Sequence, residues 1–434
     1  MLKFEKYYQA IERSEPIKTN GKITQVIGLI IESQGPGANL GELCHVFPNS
    51  GSARIQAEVV GFRDNKLLLM PLGDLSGIGP GCEVVATGDS FRVGIGSQLL
   101  GRVIDGLGNP LDGRGPLQCQ DDCPVNGNPL NPLDRKRITE PLSIGVKAID
   151  GMLTVGKGQR IGIFSGSGVG KSTLLGMVAR NTSADVNVIA LIGERGREVR
   201  EFLEKDLGDE GLQRSVVIVA TSDQPALVRL KGAMVATSVA EYFRDQGLDV
   251  MLMMDSVTRF AMAQREVGLA VGEPPATRGY TPSVFALLPK LLERSGTSSK
   301  GTITGLYTVL VEGDDTNEPI TDAVRGILDG HVVLTRELAM QNHYPAIDIL
   351  ASVSRVMIDI VAEEHLRAAD EARGILATYR DAKDLIDIGA YAKGSNPKID
   401  YAISRIDSVI DFLRQGISEK YTFENAVEML KLMA

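Results

Sequence analysis

Hydrophobic positions along the chain change their rhythm from one region to the next. Leu2, Phe4, Tyr8 and Ile11 fall near helical spacing and predict a short amphipathic helix within residues 1–20, stopping before Pro16. From 21 to 92 the pattern breaks into short β-branched runs, KITQVIGLII, ARIQAEVVGF, NKLLLMPL and EVVATG, punctuated by Gly, Asn, Asp and Pro, which predicts a small β-barrel. Residues 106–141 carry Pro110, Pro116, Pro124, Pro129, Pro132 and Pro141 and read as an extended connection. Beyond it, RIGIF, VNVIALIG, SVVIVATS, VMLMMD and ITGLYTVLV are continuously apolar runs of strand length. Segments of helical period lie between them, such as KSTLLGMVAR and ALVRLKGAMVATSVAEYFRDQ. Alternating strands and helices with such strands predict an α/β domain over 93–353, with a mainly parallel sheet covered on both faces. Strand signals vanish after Ser354, and a helical C-terminal domain is expected over 354–434, its last helix opening at Thr422 as N-cap with Glu424 in the first turn.

A length of 434 residues fits several domains at about 100 to 200 residues each. With 43% hydrophobic and 23% charged residues the chain has material for a large core. A net charge of −9 argues against a broad nucleic-acid surface. Cys44, Cys82, Cys119 and Cys123 are too scattered for a disulfide framework, and with the four histidines they show no zinc spacing, so free thiols in a reducing cytoplasm are expected. Charges interrupt the N-terminal apolar pattern where a signal peptide needs a continuous run, and no 18-residue apolar stretch follows, so neither secretion nor a membrane span is expected.

The chemistry begins in RIGIFSGSGVGKSTLLGMVAR. Gly166, Ser167, Gly168, Val169, Gly170, Lys171, Ser172 and Thr173 lie between a predicted strand and a predicted helix, the context of a phosphate-binding loop. Glycines let backbone N–H groups approach phosphate, the helix N-terminus adds a favourable dipole, the lysine neutralises the β- and γ-phosphates, and the serine hydroxyl suits Mg2+. Ser165 stands where the strict pattern has its first glycine. Asp255 follows five apolar residues and should emerge at the C-terminal edge of a sheet, where it serves either a metal through its water shell or the next helix as N-cap. Glu194, after another apolar run, is the candidate to polarise a water, with Arg195, Arg197 and Glu198 close by; a solvated loop explains the same charges.

Taken together, GSGVGKST, GERGRE, MLMMDSVTRF and PAIDILASVS, in this order, resemble the rotary ATP synthase catalytic subunits and their relatives in type III protein export. The resemblance covers nearly the whole chain and implies a RecA-like P-loop NTPase core that hydrolyses ATP with Mg2+. It implies that Lys171 and Ser172 bind phosphates and metal, Asp255 supports the metal, Glu194 activates water, and Arg195 and Arg259 lie near the γ-phosphate. Glu198 matches an acid in the metal's outer sphere, Tyr344 the aromatic packed on adenine, and Arg355 an arginine finger reaching a neighbouring subunit's site. One chain carrying both Glu194 and the finger implies a homohexamer.

GAYAKGSNPKIDYAISRID and PPATRGYTPSVFALLPKLLERSG look like the flagellar export branch, and the rotor-contacting acidic loop of the synthase is missing. That branch implies a stator-like regulator at the N-terminus, a central stalk protein in the ring, export chaperones and substrates, and peripheral contact with the membrane export gate at the inner face of the cytoplasmic membrane. Where the synthase has a second aromatic near adenine, this chain reads FLRQGI, with Gly416 and Ile417. Other readings are a virulence secretion ATPase, a synthase subunit that needs a distinct partner chain, and a ring-shaped RNA helicase, whose RNA-binding fold needs aromatic stacking motifs and a basic surface that the barrel segment lacks.

Overall fold

The run KITQVIGLII is not one strand but two. Gly28, with φ of 56°, turns the chain between β1 (Gly21–Ile27) and β2 (Ile30–Gln34). With β3 (Glu42–Phe47), β4 (Ile55–Arg63), β5 (Lys66–Pro71) and β6 (Glu83–Ser90) they close into a barrel in the order β1-β2-β5-β4-β3-β6. Ile23, Ile31, Val46, Val59, Leu69 and Val84 fill it, and closure leaves no open sheet edge. Cys44 also lies in this core, where burial pushes its thiol up to about 12. The computed structural model describes residues 19–49, 51, 53–311 and 318–433, so the helix expected in residues 1–20 lies outside the described residues. The chain divides into two units, one formed by the barrel region to Arg92 with Glu266–Pro274, the other by Val93–Arg265 with the remainder from Pro275.

The second unit is built on a sheet that has nine strands among the described residues. Its main path uses β7 (Val103–Asp105), β8 (Arg160–Ser165), β9 (Val186–Ile192), β10 (Ser215–Ala220), β11 (Asp249–Asp255), β12 (Thr302–Leu310), β13 (Gly330–Leu334) and β14 (Ile347–Ser354). The order is β14-β13-β8-β12-β11-β9-β10-β7, with Gly296–Thr297 paired on β12. Every neighbouring pair from β13 to β7 is parallel, while β14 returns antiparallel along β13. All residues of β9 and β10 are buried, as strands covered on both faces require. Helices α1 (Lys147–Met152), α2 (Lys171–Asn181), α3 (Ala226–Asp245) and α4 (Val257–Val271) lie along the chain between the strands.

The C-terminal helices α5 (Glu363–Asp387), α6 (Pro397–Leu413) and α7 (Phe423–Met433) share one core with this sheet. Ala369, Ala372, Phe412 and Leu430 join Ile149, Met152 and Leu153 in it. The approach is close enough that a Cβ on Gly151 would stand 2.7 Å from the Phe412 ring. Gln415, just past α6, is buried and accepts from Lys147 N at 2.8 Å while donating to Gly145 O at 3.0 Å. Polar contacts so deep tie the helices to α1 in a single arrangement.

Candidate active site

Strand β8 ends at Ser165 and α2 starts at Lys171, so residues 166–170 make the whole crossing from strand to helix. Gly168 and Gly170 have φ of 79° and 91°, values that residues with a side chain rarely adopt, and Gly170 is the N-cap of α2. The free N–H groups of the first helical turn are thereby placed beside the loop.

Strand register then gathers the chemistry. Ser165 pairs with Leu310, and Leu191 with Asp255, so the parallel strands end along one line. There the Lys171 ammonium donates to Asp255 Oδ1 at 2.5 Å and lies 3.6 Å from Glu194 Oε1. Thr308 Oγ1 donates to the same Asp255 oxygen at 2.7 Å, holding the carboxylate from the neighbouring strand. Ser256 Oγ accepts from Arg259 N at 3.3 Å in the first turn of α4, the capping contact that the sequence left open to Asp255.

Burial and charge set the protonation of this cluster. Burial pushes Glu194 up, the Asp255 carboxylate adds to it, and Lys171 only partly opposes them, leaving its carboxyl at about 7. Glu198, hydrogen-bonded to Glu194, is held below the ordinary glutamate range by that bond. Burial alone would pull Lys171 down, but Asp255 and Glu194 outweigh it and hold the ammonium above the usual lysine range. Ser165 Oγ, Glu194 Oε1 and Arg259 Nε are buried without a hydrogen-bond partner among the described residues. Such orphans at one cleft suit a polar ligand.

The cleft has a volume of about 740 Å3. Gly166, Ser167, Gly168, Gly170, Lys171, Ser172, Thr173, Glu194, Arg195, Glu198 and Arg259 line it, while Val169 is buried and anchors the loop in the core. Sequence reading missed three polar wall residues, Ser222, Thr258 and Arg336. Thr258 was hidden inside a helical pattern, and Arg336 follows β13 without a motif to mark it.

Two expected site residues, Tyr344 and Arg355, do not line this cleft. Tyr344 is 42% exposed, but its ring stands 3.5 Å from where a Cβ on Gly170 would be, so it abuts the phosphate loop. It lines a second cleft with Gln415, Gly416 and Tyr421, which places an aromatic ring near Tyr344 although position 416 is glycine. Arg355 follows the last residue of β14, and Ser354 pairs with Gly330 at the start of β13. It therefore stands at the sheet edge opposite the phosphate loop, exposed, with its guanidinium donating at 3.4 Å to Leu328 O.

Residues 145–354 match the ATP synthase alpha/beta family, nucleotide-binding domain, residues 23–88 its beta-barrel domain, and residues 361–432 the T3SS EscN ATPase C-terminal domain. The chain is 56% identical to the flagellum-specific ATP synthase of Bacillus subtilis, covering 99% of this chain and 98% of that protein. It superposes on the assembled ATPase EscN of the enteropathogenic E. coli type III secretion system with a TM-score of 0.90 at 49% identity, over 95% of this chain and 100% of that one. EscN in complex with its central stalk EscO gives a TM-score of 0.88 at 48% identity, with the same coverage. The shared barrel, sheet and helical region are those described above, and the chain belongs to the ATP synthase alpha/beta family and, within it, to the P-loop ATPases of flagellar and type III protein export.

Proposed function

We propose that this chain hydrolyses MgATP as a homohexamer in a flagellar export apparatus, each site completed by the next subunit. The observation that carries the reading is that Lys171 and Glu194 line one cleft at the end of the phosphate loop, with Asp255 bonded to Lys171 behind them. Among the described residues there is no group of three or more His, Cys, Asp or Glu able to hold a metal. Mg2+ typically binds through one or two carboxylates together with substrate phosphates. Asp255 and the Ser172 hydroxyl fit that role, so the ion enters with ATP as part of the substrate.

In this reading the loop and Lys171 bind the β- and γ-phosphates, and Arg195 and Arg259 neutralise the γ-phosphate. Glu194 takes a proton from the attacking water as its oxygen bonds to the γ-phosphorus and the bond to the ADP oxygen breaks. A carboxyl pushed up to about 7, chiefly by burial and Asp255, is matched to that task near neutral pH, and Glu198 beside it adds to the rise. The base lies against Tyr344. Arg355, turned away from its own chain's cleft by the antiparallel β14, serves as finger to a neighbour.

The likeness to EscN bound to its central stalk supports a stalk protein in the ring's centre, and the match to the flagellar relative favours a flagellar over a virulence apparatus. No described helix is long and apolar enough to cross a membrane. Docking at the inner face of the cytoplasmic membrane, through a regulator at the N-terminus and the export gate, with chaperones and substrates delivered to the ring, completes the proposal. Steady-state MgATPase activity against concentration of the purified chain tests it. Specific activity should rise cooperatively, and Glu194→Gln and Arg355→Ala should each lower it by orders of magnitude. A lone chain inactive at every concentration would instead point to a synthase-like need for a distinct partner chain.

A further inference from the structure

We infer that Arg336 binds the ribose-proximal phosphates of the nucleotide, acting on the flank of the phosphate loop away from the hydrolytic groups. This rests on the nucleotide site proposed above. In the sheet, β13 borders β8 on one side and β12, β11 and β9 follow on the other. Ser165, the last residue before the loop, pairs with Leu334, so Thr335 and Arg336 leave the sheet directly beside Gly166. Glu194 and Asp255 leave it on the other side of the loop, where Lys171 is held by both. Tyr344, the ring against Gly170, lies in the connection between β13 and β14, on Arg336's flank.

A nucleotide with its terminal phosphate at Glu194 and its base at Tyr344 therefore passes its inner phosphates across Arg336. The side chain lines the cleft, is exposed and makes no hydrogen bond or ion pair among the described residues, so its charge is available there. Among the described residues that line the cleft, no other cation lies on that flank, since Lys171, Arg195 and Arg259 all sit toward the hydrolytic groups. A guanidinium so placed is suited to phosphate oxygens and has no role in the water's attack.

The test is calorimetric binding of ADP and of adenosine to the full-length chain and to Arg336→Ala and Arg336→Lys. Loss of one charge-assisted phosphate contact should weaken ADP by about ten-fold in the alanine variant while adenosine is unaffected, with lysine recovering part of the loss. KM for ATP should rise by the same factor, with kcat changed far less, as expected for a contact made equally in ground and transition states. An ADP-to-adenosine ratio unchanged by Arg336→Ala, or an equal weakening of both ligands, would overturn the inference. If the wild-type chain itself fails to prefer ADP over adenosine, the underlying nucleotide site is what has failed.

Discussion

At the C-terminal edge of the parallel strands, the half-buried Lys171 is bonded to the buried Asp255 and ion-paired with Glu194, whereas at the opposite edge Arg355 stands in solvent with one long contact to a carbonyl. Both edges belong to one sheet. The first pairs its cation with carboxylates of the same chain; the second offers a cation that meets no carboxylate among the described residues. A preassembled, desolvated cluster is how a site arranges its fields before substrate arrives. An exposed arginine held away from its own chain's cleft is free to meet a neighbouring subunit, the role proposed for it above. The difference separates what one chain does alone from what it does in a ring.

The contrast breaks most sharply at Arg355. Arg355→Ala should lower kcat by about 10³ to 10⁵ if it completes a neighbour's site. Co-assembly of Arg355→Ala with Glu194→Gln should then restore activity, since about a quarter of the interfaces in a mixed head-to-tail ring pair an intact Glu194 with an intact Arg355. An additive mixture, without recovery, would place the finger in its own chain. Glu194→Gln alone should cost about 10² to 10⁴ in kcat and leave nucleotide binding in place, checked by single-turnover and equilibrium binding measurements.

A smaller effect is expected one contact back from the chemistry. Thr308→Val keeps the side chain's shape but removes the donor to Asp255 Oδ1, and kcat/KM should fall about ten-fold. The smallest effect sharpens the electrostatic side of the comparison. Glu194 titrates near 7 when folded against 4.5 ordinarily, so between those values the ligand-free folded chain holds a proton that the unfolded chain has lost. Stability from this group is therefore present below about pH 4.5 and is lost as pH rises through about 7. Denaturant titrations across that window should show a decline in stability that Glu194→Gln flattens.

Much of this was legible in the residues. The short β-branched runs mark strands of the barrel, the continuously apolar runs strands of the sheet, and the wider helical spacing the helices between them, because each pattern is a property of the local backbone. The phosphate loop is equally local: Gly168 and Gly170 need left-handed backbone, and their spacing before Lys171 records it. What stayed ambiguous depended on partners distant in sequence. Asp255 was compatible with a cap or a ligand role until Ser256 proved to cap α4 and Thr308, from another strand, proved to hold the carboxylate. Arg336 gave no signal because nothing near it in the chain marks a site. Gly416 pointed to a missing aromatic, yet Tyr421 enters the same cleft as Tyr344 from five residues further on.

Sequence by itself determined the elements, their alternation and the loop that meets phosphate, since these follow from backbone geometry and from residues within a few positions of each other. Only the tertiary structure decided which flank of that loop each charge occupies. Strand order is set by the crossovers, and the parallel course of β13 beside β8 brings Arg336 to the cleft while the antiparallel return of β14 carries Arg355 to the far edge. Nineteen positions of chain separate two arginines that a single reversal of direction sends to opposite ends of the sheet.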